Sequence, residues 1–193
     1  ASQLSVGNDH VCVVDDGRSV RCWGRGRLLH PTQVLDMSAV SLVAAGGRHD
    51  CALRTNGVID CWGDDDFGQL GSTSHAAALA VRVEGLPASS WVAAGGTHSC
   101  ARTNSGEVWC WGGNDLGQLG SGVTDPAPHP HAAKVALAAK VSAVSTGDKT
   151  TFVLTNEGDV FGWGFSVVGV SAVTIHDVAQ VAAGGKVTCA RQR

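Results

Sequence analysis

The chain has 193 residues, 44% of them apolar and 16% charged. This suits one domain or one compact repeat array with a buried core, and excludes a disordered acidic or basic tail. A net charge of −3, with 14 scattered Lys and Arg, excludes a phosphate-binding face of the nucleic-acid type. No apolar run reaches the ~18 residues of a membrane span, and 26 Gly among short apolar runs point to many turns and hence to β structure.

Residues 5–24, SVGNDHVCVVDDGRSVRCWG, open a unit that recurs along the chain. It returns as AAGGRHDCALRTNGVIDCWG at 44–63, AAGGTHSCARTNSGEVWCWG at 93–112 and STGDKTTFVLTNEGDVFGWG at 145–164. Its beginning appears once more as AAGGKVTCARQR from Ala182. Two copies run on into the same tail, Phe67-Gly68-Gln69-Leu70-Gly71 and Leu116-Gly117-Gln118-Leu119-Gly120. Cys51 and Cys100 stand 49 residues apart, a period expected of propeller or solenoid units. The repeats are about 3–41, 42–90, 91–142 and 143–179, with a partial copy at 180–193.

Each unit reads as strands. Val40, Leu42 and Val43 lead into the Gly46-Gly47 turn, a second strand runs through His49, Cys51 and Leu53, and Asn56-Gly57 marks a hairpin. Val58 to Trp62 returns. Cys61 and Trp62 lie on opposite faces of one strand and are both apolar, as two-sided burial between neighbouring blades requires. Four such strands per unit predict an all-β fold of propeller blades over one single array. The Ala-rich segment 132–140 fits a helix or a strand or loop equally well.

Three cysteine pairs share one spacing: Cys12 with Cys22, Cys51 with Cys61, and Cys100 with Cys110. Residues ten apart around a hairpin lie opposite each other, with Cα atoms ~4.5–5.5 Å apart, inside disulfide reach. In the fourth repeat both columns change together, to Phe152 and Gly162, an aromatic ring opposite a cross-strand glycine. Cys189 stands in the first column of the fifth copy and is expected as a free thiol. The competing reading is zinc, held by His10, His49 or His98 with the neighbouring cysteines. No fourth ligand recurs, and no CxxC is present. Persistent disulfides place the chain outside the cell, in a periplasm or on a cell surface.

The pattern AAGGxHxCALxxxGxxxCWGxxxxGQLG, carried closely by 44–71 and 93–120, resembles the regulator of chromosome condensation repeat. Its cysteine-bearing form resembles the bacterial, exported branch of that family. The resemblance implies a β-propeller, usually of seven blades, acting as a binding platform. Members range from a nuclear guanine nucleotide exchange factor to a β-lactamase inhibitory protein of type II. Neither contact surface has a counterpart in these residues. About four blades are present, so the expectation is a segment of a larger propeller, with self-association through open blade edges as the other way to cover them.

Trp23, Trp62, Trp111 and Trp163 share a repeated column and are expected in the blade core. Trp109 occupies a column that elsewhere holds Arg21, Asp60 and Phe161, and is expected either to face solvent or to be partly buried at a blade edge. The long connections 72–90 and 121–140 are the natural place for specificity; the second carries Asp125, His129 and His131 among three prolines. The repeated histidines are expected to bond neighbouring backbone. Asp64-Asp65-Asp66 lacks the alternation and distal Glu of a calcium loop and reads as a polar turn. Gly185-Lys186 fails the P-loop pattern, and no GxSxG or HExxH occurs.

The expectation is a non-catalytic scaffold that recognises a protein or a cell-surface polymer, with no cofactor, metal or nucleic-acid partner. Trp109, Asp125, His129 and His131 are its candidate surface. The alternatives are nucleotide exchange on a small GTPase, or part of a larger surface protein or enzyme.

Overall fold

The structure is a computed structural model and describes residues 2–24, 28–34, 36–74, 79–165 and 167–193. These form strands and no helix, so none is long and apolar enough to cross a membrane. The first sheet holds β1 (Gln3–Val6), β2 (His10–Val14), β3 (Val20–Gly24) and β4 (Leu28–Gln33). The second holds β5 (Val40–Ala45), β6 (His49–Arg54), β7 (Ile59–Gly63) and β8 (Val81–Arg82). The third holds β9 (Ser89–Ala94), β10 (His98–Thr103), β11 (Val108–Asn114) and β12 (Asp125–Lys134). The fourth holds β13 (Val141–Thr146), β14 (Thr150–Thr155), β15 (Val160–Gly164) and β16 (Val167–Val173), and a hairpin of β17 (Val178–Gly184) and β18 (Val187–Gln192) follows. In every sheet consecutive strands are antiparallel neighbours, the meander of a propeller blade.

The blades join at their first turns. Asn8 N–H donates to Gly46 O at 3.3 Å, Gly47 to Gly95 O at 2.9 Å, Gly96 to Asp148 O at 3.0 Å, and Asp148 to Gly185 O at 2.7 Å. Backbone can approach this closely only where no side chain intervenes. A Cβ on Gly46 would lie 2.6 Å from Gly95 O, and one on Gly95 would lie 2.6 Å from Gly147 O and 2.5 Å from His98 Cε1. That is why the repeat keeps a glycine at this corner.

The core lies in the seams between blades. Cys51, Cys61 and Leu70 of the second blade pack with Val92, Ala101 and Trp111 of the third. Cys100, Cys110 and Leu119 pack in the same way with Val144, Val153 and Trp163 of the fourth. The disulfides Cys12–Cys22, Cys51–Cys61 and Cys100–Cys110 are all formed, at register-opposed positions with Cα atoms 4.2, 4.0 and 4.1 Å apart. In the fourth blade the Phe152 ring lies on Gly162, where a Cβ would meet Phe152 Cε1 at 2.6 Å, so ring and hydrogen fill the space of the bridge. Cys189 is a free, exposed cysteine.

One segment departs from the sequence reading. Residues 125–134, expected as part of a long loop, form the outermost strand β12. Pro126, Pro128 and Pro130 alternate along it, which an edge strand accommodates because one of its edges needs no donors. The register against β11 breaks at two places. The strand runs through Ala132 and Ala133, and 135–140 is not helical. Of the 72–90 connection, residues 75–78 lie outside the described residues, and Val81–Arg82 form β8.

Replacing Cys51 and Cys61 together by Ala is expected to lower unfolding free energy by about 2–3 kcal/mol, because the bridge closes a short loop. Urea denaturation measures this; an unchanged midpoint would remove the bridge from the scaffold's stability.

Candidate functional site: the blade seams and the outer edge of the third blade

The repeated histidines open β2, β6 and β10, and each side chain crosses a seam. His10 Nε2 lies 2.6 Å from Asp50 Oδ1, His49 Nε2 2.8 Å from Ser99 Oγ, and His98 Nε2 2.9 Å from Thr151 Oγ1. Their partners are side chains of the next blade, not the backbone groups expected from sequence. Ser99 and Thr151 pass the contact on, donating to Gln69 O at 3.2 Å and Gln118 O at 2.9 Å. The same two carbonyls accept the indole N–H of Trp111 and Trp163, each at 2.9 Å. Histidine, hydroxyl, tail carbonyl and indole thus form one buried latch in each of the second and third seams.

His98 is fully enclosed. Burial, with a smaller contribution from the Lys149 ammonium, pushes its pKa down from 6.5 to about 3. Lys149 itself ties the third seam from outside: its Nζ lies 2.8 Å from Asp115 Oδ1 and 3.2 Å from Thr97 Oγ1, and 5.5 Å over the Phe67 ring. Burial opposes ionisation of Asp115, but hydrogen bonds from Lys149 and Gln118 outweigh it and hold the carboxyl below its usual range.

The candidate surface residues divide. Asp125 and His129 come together on β12, with His129 Nε2 3.5 Å from Asp125 Oδ2, and Asp125 Oδ1 accepts the Ala127 amide. His129 N–H also donates to Phe67 O, so this end of β12 rests on the tail of the second blade. His131 is exposed. Trp109 takes the second of its two expected places: it is half-buried, with its indole nitrogen enclosed. The reason is β12, which covers β11 from outside and sets Lys134 opposite Trp109. The exposed tryptophan is Trp91, at 39%, on the inner strand β9, where its Nε1 donates to Val144 O at 3.0 Å. It lines a cavity of about 480 Å³ along the inner strands with Gln3, Ser5, Thr146 and Asp148. Trp91 was distinguishable in sequence by standing outside the repeated tryptophan column.

Two core expectations also change. Trp111 and Trp163 are buried, whereas Trp23 and Trp62 are half-buried. Asp65 is a turn residue, accepting the Leu70 amide at 3.0 Å, as Asn114 accepts Leu119. Among the described residues one group has the donors of a metal site, His10, Cys12 and Asp50. Cys12 is in its disulfide, so its thiolate is not on offer there.

The Regulator of chromosome condensation (RCC1) repeat matches residues 1–27, 40–69, 92–118 and 141–169, more than half of the chain. The chain belongs to the RCC1 repeat family. No curated protein sequence is significantly similar to it. Among solved structures, Prp20p from Saccharomyces cerevisiae superposes with a TM-score of 0.84 at 20% identity, over 97% of this chain and 55% of its own. Human WBSCR16 gives 0.84 at 22% identity, over 99% and 57%. The ectodomain of the Arabidopsis thaliana receptor kinase ACR4 gives 0.65 at 23%, over 98% and 58%. The RCC1-type chain thus spans somewhat more than half the length of these propellers, and shares their fold.

His98 is expected to stay neutral in the native state. Its NMR ring signals should hold constant from pH 8 to pH 5, where an ordinary histidine titrates. Because the native pKa lies below the unfolded one, its contribution to stability is complete above pH 6.5. It falls by up to about 1.4 kcal/mol per pH unit as pH drops toward 3. A native midpoint near 6.5 would contradict the enclosed latch.

Proposed function

We propose that the chain is a non-catalytic recognition module of an oxidising compartment, binding a protein or surface polymer through the outer edge of its third blade. The observation that carries this reading is a contrast within the fold. The second and third seams repeat one buried chemistry, and three disulfides lie in the blade cores, while β12 is unlike any other outer strand. A rigid array presents this edge with little ordering cost on binding. Asp125, His129 and the exposed His131 supply hydrogen-bonding groups beside the flat prolines. Pairs of half-cystine, formed and buried, fit secretion or surface display better than a reducing interior. The structure of Prp20p was described with its binding to Gsp1p and histones, and a relative that binds proteins supports a binding role here. Nucleotide exchange on a small GTPase is the second reading of such a fold; it predicts reduced cysteines, which the bridged hairpins disfavour.

The test is a binding screen of the purified, oxidised chain against arrays of extracellular proteins and surface polysaccharides. The triple variant Asp125→Ala, His129→Ala, His131→Ala is then compared on each ligand found. Its affinity is expected to drop about tenfold or more, with thermal stability essentially unchanged, since all three side chains lie at the surface or its margin. Equal affinity of variant and parent would move the binding surface elsewhere on the array.

A further inference from the structure

The seam between the first and second blades lacks the latch that fills the next two. In the second seam Leu70 is fully buried, Gln69 O takes the Trp111 indole N–H, and Gly71 lies flat on that indole, where a Cβ would stand 2.9 Å from Nε1. Leu119, Gln118 and Gly120 repeat this against Trp163. The sequence after Gly24 of the first blade carries no Gly-Gln-Leu-Gly tail. Seventeen residues separate β7 from β8 and ten separate β11 from β12, but only Arg25, Gly26 and Arg27 separate β3 from β4.

At the first seam lies a cavity of about 230 Å³, lined among the described residues by His10, Trp23, Thr32, Val34, Asp50 and Trp62. Trp62 is half-buried, whereas Trp111 and Trp163 are enclosed. Among the described residues no hydrogen bond takes its indole N–H. At its floor Asp50 replaces Ser99 and Thr151. Where those hydroxyls donate to the tail carbonyl, a carboxylate can only accept. Asp50 is buried and takes His10 Nε2 at 2.6 Å, and a carboxylate has about four acceptor positions.

We propose that this seam is a peptide-binding site, which takes from a partner protein an extended segment bearing one bulky aliphatic side chain. The occupant is specified by what the cavity leaves unmet. It must bring an acceptor to Trp62 Nε1, a donor toward Asp50, and an apolar body to the place that Leu70 and Leu119 hold in the other seams. A peptide group supplies the first two together, and a leucine side chain the third. A phosphate or carboxylate group offers acceptors alone and would meet the Asp50 charge. The molecule itself already seats peptide of this kind, Gln69-Leu70-Gly71 and Gln118-Leu119-Gly120, in the equivalent places. The site is on the opposite side of the second blade from β12, and its binding does not depend on Asp125, His129 or His131. Failure of either proposal therefore leaves the other standing.

The probe is a capped peptide with the chain's own sequence 66–72, Asp-Phe-Gly-Gln-Leu-Gly-Ser, titrated calorimetrically into the full oxidised chain. One-to-one binding is expected. Exchanging the leucine of the peptide for aspartate should weaken it at least tenfold, a comparison made entirely on the unaltered protein. Trp62→Phe keeps the apolar wall and removes the N–H, and should weaken binding by about three- to tenfold. The proposal is overturned if no binding is seen at millimolar peptide, or if both peptides bind alike. It is equally overturned if binding ignores Trp62→Phe but falls with Trp111→Phe, since the peptide would then be displacing the chain's own tail from the second seam.

Discussion

Close approach of backbone to backbone at the inner turns governs this array. Each blade reaches the next through an amide of one Gly-rich turn and a carbonyl of the following one, from Asn8–Gly46 through to Asp148–Gly185. The distance is set by the missing side chains: a methyl group at Gly46 or Gly95 would overlap the carbonyl it faces. With that corner fixed, successive sheets stand face to face, and every other feature of the seam is placed by it. The imidazole that follows the turn arrives opposite a hydroxyl or carboxylate of the next blade. The cysteine two residues later arrives opposite its partner across the hairpin. Side chains add further ties along the inner strands: Gln3 bonds both the amide and the carbonyl of Val43, and Ser145 Oγ accepts the Ala183 amide.

Polar groups in the second and third seams are linked in chains, although the Nδ1 of His98 is buried without a hydrogen-bond partner among the described residues. His49, Ser99, Gln69 and Trp111 share one connected set of hydrogen bonds around a single carbonyl, and His98, Thr151, Gln118 and Trp163 share another. Leaving any one of them unpaired in an apolar seam costs about 1–3 kcal/mol, so the set holds its geometry as a unit. The disulfides lie on the same faces and fix the two central strands of three blades. Stiffness of this kind suits recognition, since a surface already ordered before binding loses little entropy on contact. At the first seam Asp50 stands in for the hydroxyl, beside a cavity of about 230 Å³.

Most of the scaffold was legible in the residues. The glycine pair, the cysteines ten apart and the Asn56-Gly57 hairpin state the blade directly, because each is required by local geometry. Gly57, for instance, sits at φ +85°. The paired change to Phe152 and Gly162 was readable for the same reason. What could not be read was anything decided by a neighbouring blade. Trp62 looks identical to Trp111 in sequence, and the burial of Trp111 is set by Gln69 and Gly71 of the preceding blade, which lie on its indole. Trp109 stood between solvent and a blade edge because its column tolerates charge, and is covered because 125–134 pairs as a strand in spite of three prolines. The histidines were misread as backbone-bonded because their partners lie about forty to fifty residues away in sequence.

The most direct test of the turn-to-turn linkage is native-state hydrogen exchange of the Gly47, Gly96 and Asp148 amides across a denaturant series. If these hydrogen bonds hold the blades as one cooperative body, the three amides exchange with the same free energy and denaturant dependence as strand amides of Cys51 and Cys100. If they exchange through small, denaturant-insensitive openings while β6 and β10 remain protected, the blades are joined by their seams alone and the turns merely follow.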